Sequence, residues 1–223
     1  MTKLLVPRSL GLEDKAGRER PLPRYTSVGI NCEGLAAVEY EGRLGYINEE
    51  DVEVIQPQYE AAGHFFGGLA RVKKAGLWGA VNKVGIEVIP PRYDSLPECW
   101  EGLFRVYKSG KWGLMDRTGK ELVPPRYDGL ADLGNGTFAF NLGGAMVGEN
   151  FRGGAWSFLN AEGQELASPQ YEDLGQDSEG FWQVKKNGLW GFADETGQER
   201  VAPQFEIVEG FSEGMAPVFR DKK

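Results

Sequence analysis

Two marker series run through the chain with identical spacing, and that spacing limits the fold more than any other feature. A small residue follows a Trp or Leu at Gly11, Gly45, Gly79, Gly113, Ser157 and Gly191. An aromatic closes each unit at Tyr25, Tyr59, Tyr93, Tyr127, Tyr171 and Phe205. Both series step by 34, 34, 34, 44 and 34 residues. Self-similarity at such a period marks a body built from repeated supersecondary units, each stacked on its neighbours. The whole chain, 1–223, reads as one repeat domain: a half repeat 1–28, repeats 29–62, 63–96, 97–130, 131–174 and 175–208, and a closing half repeat 209–223.

Each repeat reads as an antiparallel meander, so the expected class is all-β. Ala70 and Val72 alternate on one face of a first strand, as do Phe104 and Val106, Phe138 and Phe140, and Trp182 and Val184. A glycine hairpin follows at Gly42, Gly76, Gly110, Gly154 and Gly188. The second strand carries the Trp-Gly pair and is apolar on both faces (Trp112 and Leu114 one way, Met115 the other), so it needs cover on both sides. Neighbouring repeats can supply it. A turn opened by Asp14, Asn48, Asn82, Asp116, Asn160 or Asp194 leads to a third strand. Pro124-Pro125 ends that strand and sets it at a sheet edge.

Glu101-Gly102-Leu103, Val106, Lys111-Trp112-Gly113-Leu114, Asp116, Gly119-Lys120 and Pro124-Pro125-Arg126-Tyr127 resemble the bacterial WG-repeat (KWG-type) family. Leu10, Leu44, Ser157 and Asp51 depart from its pattern. The resemblance implies a β-rich scaffold that binds other molecules, with no reaction and no catalytic residues to carry over.

Six such blades can close radially as a β-propeller-like ring or stack linearly as an open β-solenoid. Closure is the expectation, with residues 214–219 completing the blade that holds Leu10 to Tyr25. Pro217 and Glu13 count against it, since one lacks a ladder donor and the other replaces a core aliphatic.

Charge and composition narrow the function. A net charge of −8 argues against nucleic acid and is suited to a basic partner. No apolar run approaches the ~20 residues of a spanning helix. Two cysteines, Cys32 and Cys99, give no disulfide framework, so a cytoplasmic monomer with free thiols is expected. His64 is the single histidine and lacks neighbours at ligand spacing, so no metal site, cofactor or catalytic set is expected. Gly67-Gly68 and Gly143-Gly144 lack the rest of a phosphate loop. Trp78, Trp112, Trp156 and Trp190 are read as packing beside the small residue that follows them, each ring filling the space a glycine leaves in the adjacent blade. As an exposed stripe they would instead suit a carbohydrate-binding module.

The one break in the period inserts ten residues at Gly143 to Arg152. An insertion on a rigid scaffold is a place for function, so Met146, Val147, Glu149, Phe151 and Arg152 are the candidate contact residues. The acidic turn Glu49, Glu50 and Asp51 is their electrostatic support, set against first hairpins rich in lysine (Lys73, Lys74, Lys108, Lys111, Lys185, Lys186). The expected role is a non-catalytic scaffold for a partner protein, with an immunity or antitoxin-type protein that blocks a basic toxin as its sharper version.

Overall fold

The computed structural model describes residues 11–13, 19–21, 25–97, 102–134, 136–147, 150–194 and 196–220. Among them every regular element is a β-strand, and all strand pairs are antiparallel. The chain divides into two compact units, residues 1–104 with 117–119, and residues 105–116 with 120–223.

The sheets are assembled from one closing aromatic to the next. In the first unit, Ser27–Cys32, Leu35–Tyr40, Arg43–Asn48 and Glu53–Tyr59 lie side by side in chain order, followed by Ala61–Ala62, Leu69–Lys74, Leu77–Asn82 and Glu87–Tyr93 in a second sheet. In the second unit, Asp173–Ser178, Phe181–Lys186, Leu189–Asp194 and Glu199–Phe205 repeat this order. The linkers after Tyr25, Tyr59, Tyr127, Tyr171 and Phe205 therefore each supply a leading strand.

Local chemistry explains each turn. The hairpins before the Trp-Gly strand have positive φ at both central residues, as at Ala75 (51°) with Gly76 (77°) and Ser109 (51°) with Gly110 (81°). That is the type I′ geometry whose twist matches the flanking strands. In the following turn, Asn82 Oδ1 accepts from Val84 N and Ile86 N, at 3.1 and 2.9 Å. The Asx residues thus serve the backbone, as expected.

The closing strand does not end at its prolines. It continues to the aromatic, as in Glu121–Tyr127, and occupies the sheet edge. Trp112 pairs with Tyr127 and Leu114 with Val123, so the two prolines form a bulge opposite Gly113. A Cβ on Gly113 would stand 2.6 Å from the Val123 carbonyl oxygen and 2.7 Å from Pro125 N. Gly45, Gly79 and Gly191 meet the same backbone in their own sheets. The glycine is required by this crossing, which corrects the expectation that a neighbouring Trp fills its space. Ser157 tests the rule naturally. Its Oγ donates to the Ala167 carbonyl at 2.7 Å, and the closing segment is reduced to bridges at Glu165 and Tyr171.

The core lies between successive sheets. Leu35, Tyr46, Ile55 and Tyr59 pack against Phe65, Ala70, Val72 and Val81 in the first unit. Phe158 and Tyr171 pack against Val184 and Ala193 in the second. Closing tyrosines are its largest members, since Tyr59, Tyr93, Tyr127 and Tyr171 are all fully buried. Burial pushes the Tyr127 hydroxyl up to about 12, Arg126 pulling against it and Glu165 with it.

Of the other four sheets, two are three-stranded (Leu103–Lys108, Lys111–Asp116 and Glu121–Tyr127; Gly129–Gly134, Thr137–Val147 and Asn150–Leu159) and two are short hairpins, Gly11–Glu13 with Glu19–Pro21 and Ile207–Val208 with Val218–Phe219. The segment expected to complete the first blade is thus paired with its own leading strand.

Candidate functional site

The insertion forms a β-ribbon. Thr137–Val147 and Asn150–Leu159 pair without a break in strand order from Phe138↔Leu159 to Val147↔Asn150. Aligned on the 34-residue period, Gly143 and Gly154 occupy the places of Ser109 and Gly110 in the regular hairpin. Both keep the positive φ of that turn, 86° and 71°. Residues 144–153 therefore grow from between the two central residues of a type I′ turn, which shifts the insertion one residue from its expected bounds.

Asn141 and Asp128 hold the base of the ribbon. Asn141 is fully buried, accepts from Gly144 N at 3.0 Å and donates to the Gly153 carbonyl at 3.2 Å. Asp128 accepts from Lys111 Nζ at 2.5 Å and from Gly143 N at 2.8 Å. The Lys111 bond, then the Gly143 amide, hold its carboxyl below the usual carboxylate range.

The candidate residues separate on this frame. Met146 is 62% and Val147 58% exposed. Phe151 is not part of that tip: it folds back to meet Trp156 edge-on, 5.1 Å between centroids, over Gly129 and Gly144. A Cβ on Gly144 would stand 2.4 Å from its ring and collide, whereas one on Gly129 would press it at 3.2 Å. Arg152 is exposed and opposite Ala145, on the ribbon face away from Phe151. Glu149 lies outside the described residues. In the first unit, Glu49 and Glu50 are exposed, whereas Asp51 is half-buried at φ 62°, donating its amide to the Asn48 carbonyl at 3.1 Å. Asp51 is a turn residue standing where other repeats use glycine.

Lysines of the first hairpins are largely engaged within the fold. Lys74 bridges Glu87, Lys111 bridges Asp128, and Lys186 contacts Gln170 and Glu199. Trp78, Trp112, Trp156 and Trp190 are half-buried rather than enclosed, and three of the four carry a cation. Arg71 and Lys73 stand over Trp78, Arg105 over Trp112 and Lys185 over Trp190.

Beside Trp156 the surface opens into a cleft of about 560 Å³, lined by Phe151, Arg152, Gly153, Trp156, Glu172 and Asp173. Sequence reasoning takes Trp156 for a packing residue of the Trp series and passes over Glu172 and Asp173. One signal is present in the sequence: Ala139 stands where two other repeats have Arg71 and Arg105, and Asn141 where two have Lys73 and Lys185. His64 is exposed, in a connection between strands.

The model of the WG containing repeat matches residues 45–78, 78–112, 112–144, 156–190 and 190–223. The chain belongs to the WG-repeat family. No curated protein matches its sequence. Among solved structures it is similar to a eukaryotic initiation factor (TM-score 0.46, 11% identity, 90% of this chain and 63% of that one). It is also similar to Hsv2 of Kluyveromyces lactis (0.34, 9%, 75% and 58%) and to the AfRom2 CNH domain (0.33, 14%, 91% and 79%). This WG-repeat chain spans less than two thirds of the length of the first two.

Proposed function

We propose that this WG-repeat protein is a non-catalytic scaffold that docks a partner protein through the ribbon 144–153. The observation that carries the reading is a single graft on a regular body, presenting Met146 and Val147 to water. Exposed aliphatic side chains at a hairpin tip gain by being covered, and a rigid blade beneath lowers the entropy lost on docking. The partner is basic, attracted by the net charge of −8 and by Glu49 and Glu50. An immunity-type role, in which a cytoplasmic monomer blocks a basic toxin, is the sharper form of this proposal. Carbohydrate binding across the Trp stripe is disfavoured because three of those rings already carry side-chain cations.

Photo-crosslinking in the native host tests the reading, with benzophenone-alanine at Val147 and, as control, at the exposed Val84. A partner crosslinked from 147 and not from 84 supports it. Crosslinks from 84 alone overturn it.

A further inference from the structure

Of the four Trp-Gly or Trp-Ser strands, three carry a cation over the Trp ring, and the strand of Trp156 does not. Lys73 is paired with Trp78 and Lys185 with Trp190 across neighbouring strands. The residue in that place opposite Trp156 is Asn141, whose amide is turned to Gly144 and Gly153. The place of Arg71 and Arg105 is taken by Ala139. Among the described residues no cation stands over Trp156.

Trp156 instead forms one wall of the cleft, with Phe151 as a second wall and the exposed carboxylates of Glu172 and Asp173 facing them. Glu172 accepts from Gly188 N at 3.0 Å and Asp173 from Leu174 N at 2.9 Å, which leaves each a carboxylate oxygen for another donor. Lys185, across from Asp173, places its ammonium over Trp190. Arg152 is the one cation among the lining residues, and two carboxylates against its guanidinium leave the lining net negative. An aromatic surface beside carboxylates, shielded by a ribbon, is chemistry that selects a cationic side chain.

We infer that the cleft between the ribbon and the following blade takes a lysine or arginine side chain of the partner, seated on Trp156 and paired with Glu172 and Asp173. The inference deepens the docking reading: the ribbon tip supplies apolar contact and the cleft supplies charge selection. It also gives Phe151 a role that its inward packing denies it at the tip.

The test is a titration of ¹⁵N-labelled protein with the blocked peptides Gly-Arg-Gly and Gly-Lys-Gly, against Gly-citrulline-Gly as the neutral isostere. The Trp156 indole N–H is assigned from Trp156→Phe. The expected result is a saturable shift of that indole and of the Gly153 amide with either cationic peptide and none with citrulline. Glu172→Gln with Asp173→Asn should weaken it at least fivefold, while the indoles of Trp78, Trp112 and Trp190 stay in place as folding controls. No saturable shift at Trp156, or an equal shift with citrulline, overturns the inference. The docking reading is judged separately by partner crosslinking, so a failed titration beside a ribbon-dependent partner sinks the cation site alone.

Discussion

At the scale of single residues, the family's namesake pair divides its labour unevenly. The glycine admits the closing strand, and the Trp beside it stays half-exposed. Gly113→Ser should therefore destabilise by about 1–3 kcal/mol, because the Val123 carbonyl is backbone that cannot swing aside. Trp112→Ala should cost less than the ~3–5 kcal/mol of a fully buried aromatic, a value better suited to Tyr127→Ala. Urea unfolding of the three variants would give this order, and a Trp112 loss equal to the Tyr127 loss would contradict it. Asp51→Gly should stabilise by up to ~1 kcal/mol, since glycine adopts positive φ without strain. The alternation of Ala70 with Val72 and the Asx turns were legible in the sequence because they are local. The reason for the glycine was not, because the atoms it must avoid lie ten or more positions away along the chain, in a bulge that only strand pairing reveals.

Among elements, the ribbon is the part whose existence could be read and whose geometry could not. A ten-residue break in a strict period announces an insertion. Which of its apolar residues turns inward depends on Gly129 and Trp156, and no periodic signal pairs those with Phe151. The base also carries a pH prediction. The Asp128 carboxyl has a folded pKa below its unfolded value, so its contribution is full above about pH 4 and is lost as pH falls through the lower folded value. Exchange of the Gly143 amide should accelerate in that window before global unfolding. Asp128→Asn should remove this pH dependence, and an Asn variant with the wild-type profile would show that another group controls the base.

For the whole molecule, the repeated core between sheets makes stability a sum of neighbouring contacts. Charge reversal at Glu49 and Glu50 should mainly slow partner association, increasingly so at low salt, with little change in dissociation. The central claim is that the ribbon docks the partner, and deletion of residues 144–153 isolates it, because Gly143-Gly154 then forms an ordinary two-residue turn with the φ values it already has. Calorimetric titration of the purified crosslinked partner into wild type and the deletion variant measures the difference directly. The account predicts an unchanged melting temperature with affinity weakened at least tenfold, ~1.4 kcal/mol. Equal affinity in a folded deletion variant would contradict it.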